Sequence, residues 1–347
     1  CFRMEILRIE NARPSHVYEI TPFEAIAQLF ERIKAVLELG SGLVVTDENV
    51  ITAYPELSVF DPVVLPAGES TKQWDSLIKI VESGLMRRLD RQSTVVAFGG
   101  GVIGDVTGFG ASVINRGTKL IQVPSTLLSM VDSSVGGKTG INAPQGKNLI
   151  GAFYAPHEVF LCPSLLETLP VEEVKNGLAE MIKHGILGAV SHFEDLEKIS
   201  HKGPVWQNIV PYIQDSIRVK QKIVEEDELE MGVRGFLNLG HTFGHSIESL
   251  SEYRIPHGHG VAIGCMMAIR YAIKKGICDP FLEHRVESVY QNFDIDVSVP
   301  FPEVDIFEGM KSDKKRQGDK VNLVLPEELG KVRYYPVNIQ EEIDSML

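Results

Sequence analysis

Between Cys162 and Pro170 the spacing of apolar residues changes period, and that change limits the chain to a fold in two parts. Upstream, β-rich runs alternate with helical stretches: Ser41 to Asp47 (SGLVVTD), a helical segment around Trp74 to Arg87, Ser93 to Phe98 (STVVAF) and Thr118 to Pro124 (TKLIQVP). This alternation predicts a parallel sheet covered by helices, because parallel strands need crossover connections. Downstream the segments are long and amphipathic, as in VEEVKNGLAEMIKHGIL and IVPYIQDSIRVKQKIVEEDE, with few strand-like runs. That pattern predicts a helical second domain. CPSLLETLP carries turn residues at both ends, so the boundary is placed there, with an α/β part over 1–166 and a mainly α-helical part over 167–347. A length of 347 residues agrees with two domains.

Composition excludes several function classes. No apolar run approaches the roughly 20 residues a membrane helix needs; the best, Val261 to Ile269, is stopped by Arg270. The opening CFRMEILRIENARP is charged throughout and does not read as a secretion signal. Cys1, Cys162, Cys265 and Cys278 lie far apart without a CxxC pair, which argues against a zinc ribbon or a disulfide framework and points to a reducing cytoplasm. A net charge of −13 speaks against nucleic acid or an anionic membrane as partner. Cations gathered inside motifs therefore stand out.

Three motifs carry chemistry. The stretch RGFLNLGHTFGHSIES, with IPHGHG and GLAEMIKHG, supplies His241 and His245 on one helical face, His257 after a turn-rich break, and Glu180 as the best-placed carboxylate. Two imidazoles and one carboxylate with a position left open suit a catalytic divalent metal. In FGGGVIGDVTGF, Gly99, Gly101 and Gly104 follow a β-run in the spacing that brings backbone amides to a pyrophosphate at a helix start. The acid expected about 20 residues further on is missing, and Asp47, ending an earlier β-run, is the alternative partner for a ribose. Pro124 to Phe153 is dense in hydroxyls, glycines, Lys138, Lys147, Asn142 and Asn148, and reads as a long flexible loop that buries little core and exposes donors. It holds either an anion or simply solvated lysines. Cations at Arg116, Lys183, Lys220, Arg234, Lys314 and Lys315 favour the anion. Holding Lys138, Lys183, Lys220, Arg234 and Lys314 together is costly without an anion between them.

From about Asp47 to Lys331 the motifs GGGVIGD, INRG, VDSSVGGKTGIN, GKNLIGAFY, TLPVEE, GLAEMIKHG, RGFLNLGHTFGH, IPHG and SDKK give the chain a resemblance to the 3-dehydroquinate synthase family of sugar phosphate cyclases. The resemblance implies an α/β dinucleotide-binding domain with a parallel sheet, followed by a helical metal- and substrate-binding domain. It implies zinc or cobalt on Glu180, His241 and His257, leaving His245 to the substrate. NAD contacts are expected at Asp47, Asn49, Glu69, Lys72, Gly100, Gly101, Asp105, Ser125, Thr126, Asp132, Lys147 and Thr168. Substrate contacts are expected at Lys138, Asn148, Lys183, Lys220, Arg234, Asn238, His245 and one of Lys314 or Lys315, and Arg116 is expected to reach a neighbouring subunit of a homodimer.

The implied reaction is the shikimate-pathway lyase step from 3-deoxy-D-arabino-heptulosonate 7-phosphate, a phosphorylated keto acid, to 3-dehydroquinate and phosphate. NAD is reduced and reoxidised within one turnover. The GGKTGIN segment favours this family over sister cyclases acting on sedoheptulose 7-phosphate. Those sisters, a metal-dependent alcohol dehydrogenase of similar build, and an inactive nucleotide-binding relative are the rivals. The chain departs from the family pattern at His259, where glutamate is usual and an extra imidazole can compete for metal, and at Ala143 and Ser125.

Overall fold

The structure, a computed structural model, describes residues 17–188, 190–199, 205–311, 316–317 and 320–346. In the first part β1 (Glu19–Pro22), α1 (Ile26–Glu38), β2 (Gly42–Asp47), α2 (Glu48–Ala53), β3 (Val63–Leu65), α3 (Trp74–Met86), β4 (Thr94–Gly99), α4 (Gly101–Val113) and β5 (Lys119–Pro124) follow one another. A hairpin of β6 (Lys138–Ala143) and β7 (Gly146–Phe153) comes next, and β8 (Glu158–Leu161) re-enters the sheet. The six-stranded sheet has the order β1-β8-β5-β4-β2-β3, and all its pairings are parallel. A parallel sheet is covered on both faces, so its strands read as continuous apolar runs; every residue of β4 is buried. Alternate side chains then serve two cores. Leu43, Val45, Val95, Ala97 and Leu120 pack with Leu77, Ile80, Ile103 and Val106 of α3 and α4. Val44, Val96, Phe98, Ile121 and Val123 face the other way, into a cluster shared with the helical part.

The second part runs through α5 (Val171–Gly188), α6 (Val190–Glu197), α7 (Val205–Ile209), α8 (Ile213–Glu226), α9 (His241–Leu250), α10 (His257–Lys274), α11 (Pro280–Asn292) and α12 (Glu303–Met310). It ends in β9 (Arg316–Gln317), β10 (Lys320–Glu328), β11 (Lys331–Asn338) and α13 (Ile339–Met346). The three strands form an antiparallel sheet that adds to the helical expectation. Its signal was the short alternation Val321, Leu323, Leu325, all buried. Among the described residues no helix is long and apolar enough to cross a membrane.

One expectation is corrected. Residues 124–153 are not a flexible surface loop: they form a π-turn at Ser129–Ser133 and the β6–β7 hairpin, and Leu127, Met130, Val131, Val135 and Ile141 are buried in the core. The glycines there serve close packing. A Cβ on Gly151 would stand 2.1 Å from the Thr139 carbonyl oxygen, and one on Gly140 would stand 2.5 Å from that of Ile150.

Candidate active site

Because all six strands run in parallel, their carboxyl ends share one edge, where a doubly wound sheet takes its ligand. Asp47 at the end of β2, Gly99 at the end of β4 with Gly100 and Gly101 after it, and Ser125 and Thr126 after β5 all fall there. Asp47 caps α2, its Oδ1 accepting from the amides of Asn49 at 2.9 Å and Val50 at 3.0 Å. Gly100 is the N-cap of α4, and a Cβ on it would come within 3.1 Å of Thr126. Gly104, the last glycine of the triplet, allows helix-to-sheet packing, since a Cβ there would stand 2.7 Å from Gln122. Lys72 pairs with Asp105 at 2.5 Å, and Asn142 of the hairpin donates to Glu69 at 2.7 Å. Burial pushes the Asp105 carboxyl up against the opposing pull of Lys72. Thr168 shares a 2.9 Å hydrogen bond with Tyr54, just after α2, which joins it to the same edge.

The helical part brings Glu180, His241 and His257 together. Glu180 is fully buried in α5, and its Oε1 stands 3.6 Å from His241 Nε2 and 3.7 Å from His257 Nε2. Among the described residues neither carboxylate oxygen receives an aligned hydrogen bond, although the Lys183 ammonium lies against Oε2. The far nitrogens of both rings are engaged: His241 Nδ1 donates to the Leu239 carbonyl at 3.2 Å and His257 Nδ1 to Glu248 at 2.8 Å. Both Nε2 atoms are thereby turned toward Glu180. A tetrahedral ion with bonds of about 2.1 Å holds its ligand atoms roughly 3.4 Å apart, so the donor set and its unsatisfied carboxylate fit a divalent metal. His245 lies exposed at the rim, its ring centroid 5.4 Å from that of His241 and 6.0 Å from that of His257.

Around this triad the candidate anion-binding residues are already engaged, which corrects the expectation that they need an external anion between them. Lys220 donates to Asp132 at 2.6 Å, Lys138 pairs with Glu230, and Lys183 with Glu180. Burial alone pushes the Asp132 carboxyl up, but the Lys220 and Lys183 ammonium groups outweigh it and hold it well below the carboxylate range. Buried Arg234 donates to the carbonyls of Gly136 at 2.8 Å and of Glu228. Its loop is tied by Asp227, which accepts from the amides of Met231, Gly232 and Arg234. Asn238 donates to Glu230 and to the Gly235 carbonyl, both at 3.0 Å.

Other candidates stand apart. Asn148 is exposed on the hairpin, its amide donating to Asn142. Arg116 is exposed in a left-handed turn at φ 64°, and among the described residues no hydrogen bond or ion pair joins it to the cluster. Lys314 and Lys315 lie outside the described residues. His259 Nε2 lies 2.5 Å from the Asp296 carbonyl oxygen, and the ring is not part of the Glu180, His241 and His257 group.

Sequence reasoning missed Glu248, Glu230, Asp227 and His184. Glu248 was within reach, because 241, 245 and 248 share one helical face. His184 is fully buried, hydrogen-bonded to Ser216 at 2.7 Å with Nε2 3.9 Å from Asp132. Burial and the neighbouring Lys183 keep it neutral.

Comparison with known proteins gives two family matches, "3-dehydroquinate synthase N-terminal" over residues 62–176 and "3-dehydroquinate synthase C-terminal" over 177–316. A 3-dehydroquinate synthase of Crocosphaera subtropica is 45% identical over 276 residues, covering 78% of this chain and 76% of that one. Among solved structures, 2-epi-5-epi-valiolone synthase of Streptomyces hygroscopicus subsp. jinggangensis, with NAD+ and Zn2+ bound, superposes with a TM-score of 0.86 at 23% identity over 98% of each chain. A 2-deoxy-scyllo-inosose synthase complexed with carbaglucose-6-phosphate, NAD+ and Co2+ gives 0.82 at 25% identity, over 93% of this chain and 95% of that one.

Proposed function

The chain belongs to the 3-dehydroquinate synthase family, and from that membership together with the site's geometry we infer that it converts 3-deoxy-D-arabino-heptulosonate 7-phosphate to 3-dehydroquinate and phosphate. The observation that carries the reading beyond the fold is the buried Glu180 carboxylate, short of donors and faced by two oriented imidazoles. Glu180, His241 and His257 would hold the metal, and NAD would lie along the sheet edge against Asp47, Asn49, Glu69, Lys72, Gly100, Gly101, Asp105, Ser125, Thr126, Asp132, Lys147 and Thr168. When bound, the metal polarises a substrate hydroxyl and NAD accepts a hydride that it returns, so the net change is a carbon–oxygen lyase step.

This chain's residues do the rest by position. Arg234, fixed by two carbonyls, offers its planar fork to the substrate carboxylate, with Lys220 beside it. Lys138, Asn148, Asn238, His245 and one of Lys314 or Lys315 take the phosphate end. Asp132, held ionised by Lys220 and Lys183, fixes the Lys220 ammonium in place. Lys183 balances the Glu180 charge from the buried side and completes the substrate set. The substrate phosphate serves as base for its own elimination.

The exposed, outward position of Arg116 supports a role in the neighbouring site of a homodimer. We keep the domain division at 166/167, between the last strand of the parallel sheet and α5. Three buried free thiols, Cys162, Cys265 and Cys278, favour the cytoplasm.

The test is incubation of metal-loaded protein with NAD+ and the heptulosonate phosphate, with Lys138→Ala as control. Equimolar phosphate and 3-dehydroquinate without net NADH, lost in the control, is the expected result. Phosphate release from sedoheptulose 7-phosphate alone would move the chain to a sister cyclase.

A further inference from the structure

Glu248 belongs to neither the metal triad nor the nucleotide set, yet it touches both. It sits on α9 and is 3% exposed, a burial that a carboxylate tolerates only when both oxygens are engaged. Oε1 accepts from Nδ1 of His257 at 2.8 Å, and Oε2 pairs with the Lys147 ammonium at 3.2 Å. Lys147 comes from β7 in the first part of the chain, 101 residues away, and lies over the Tyr253 ring at 4.1 Å. Gly260 on α10 clears the space: a Cβ there would stand 3.2 Å from Glu248 Cγ and 3.4 Å from Oε1.

We propose that Glu248 is a positioning residue that couples the two cofactor sites, holding His257 for the metal with one oxygen and releasing Lys147 to the nucleotide with the other. The proposal rests on the functional reading above. The sign of the coupling follows from charge. A cation on His257 Nε2 strengthens the Nδ1–H donor and draws the Glu248 charge toward His257, so Lys147 is held less tightly and is available to an anionic nucleotide. Conversely, a nucleotide that draws Lys147 away leaves Glu248 less neutralised and a better acceptor for the metal-bound imidazole. Each ligand therefore tightens the other by the same factor, as linkage requires.

The experiment titrates metal-free full-length protein with Co2+, read by its visible absorption bands, with and without saturating NAD+. NAD+ binding is read independently by calorimetry. The wild type is expected to bind Co2+ about fivefold or more tightly with NAD+ present. Glu248→Gln keeps the volume but loses the charge; it is expected to weaken Co2+ binding by about 10- to 100-fold, alter the absorption bands, and bring the NAD+ effect close to unity. Lys147→Met removes the counter-charge from Glu248 as a bound nucleotide would, so the variant, its folding checked by circular dichroism, is expected to bind Co2+ about fivefold or more tightly without NAD+ and to gain nothing further when NAD+ is added. Independent binding of NAD+ and Co2+ in the wild type, or wild-type coupling retained in either variant, overturns the proposal while leaving the functional reading intact. Failure of the wild type to bind NAD+ overturns that reading, and the coupling with it.

Discussion

The metal triad depends on how closely α9 and α10 approach, and Gly264→Ala tests that dependence. A Cβ on Gly264 would lie 2.0 Å from the carbonyl oxygen of Gly240 and 2.9 Å from both the Gly240 carbonyl carbon and the Gly244 amide nitrogen. All three neighbours are backbone, so no side-chain rotation relieves the clash, and the helices must part by about 1 Å or more. Gly240 immediately precedes the candidate ligand His241, while His257 lies two turns up the helix from Gly264. A relative shift of that size at the 3.6 Å and 3.7 Å separations from Glu180 exceeds the roughly 0.2 Å tolerance of metal–ligand bonds. Overpacking of this kind costs about 1–3 kcal/mol, which for a chain of this length lowers the melting temperature by a few degrees. Cobalt affinity is expected to fall by at least about tenfold, a difference of 1.4 kcal/mol. Cobalt titration by visible absorption and a thermal melt of the metal-free protein read the two effects separately. Gly40→Ala, whose added Cβ meets nothing within 4 Å, is the control. Wild-type cobalt affinity in Gly264→Ala, with a melt unchanged to within about a degree, would refute the argument that helix approach sets the site.

Three further outcomes follow from the same geometry. Arg234→Lys loses the fork that spans the Gly136 and Glu228 carbonyls, at a cost of about 1.5–3 kcal/mol; KM for the acid substrate should rise about 10- to 100-fold with a smaller change in kcat, and an unchanged KM would contradict the assigned carboxylate contact. His259→Glu restores the usual family residue and should leave cobalt affinity within about threefold of the parent, because His259 is bonded to Asp296 rather than to the triad; a tenfold change would mean the ring reaches the metal. Asp132→Asn leaves the Lys220 ammonium buried without its counter-charge, costing about 3 kcal/mol at neutral pH. The native Asp132 carboxyl is held below its ordinary 3.8, so the stability it contributes is present above that value and is lost as pH falls below it. Urea midpoints of parent and variant should therefore converge below pH 3.8, and a constant gap would count against the pair.

The strands were legible because burial on both faces writes a continuous apolar run, as in β4, bounded by turn residues. The hairpin was not, since its signal is glycine set against carbonyl rather than alternation, and Gly140 and Gly151 find each other only through pairing. Helical spacing placed His241 and His245 on one face but did not distinguish ligand from rim; resemblance selected His241, and the folded arrangement leaves His245 exposed. Partner choice was the least legible feature. Lys220 meets a residue 88 positions away, Lys138 one 92 away and Lys147 one 101 away, distances over which no local period carries information. Counting cations therefore marked the cluster while missing the carboxylates that pair with it.

Those carboxylates divide the lysines by what an incoming anion must displace. Lys183 and Lys220 have side chains 2% and 8% exposed, and breaking such buried pairs costs about 3–5 kcal/mol. Lys138 is 51% exposed, and an exposed pair holds it to Glu230 by about 0–1 kcal/mol. Exchange of Glu230 for a substrate phosphate at Lys138 would therefore cost little, whereas at Lys183 and Lys220 a substrate anion would have to join the pairs with Glu180 and Asp132 rather than displace them. Exposed pairs are also the ones salt screens. Raising ionic strength should raise the substrate Kd through Lys138, and the salt slope of Kd, read by calorimetry, should flatten in Lys138→Ala. In Lys183→Met, where the lost pair is buried, the slope should persist.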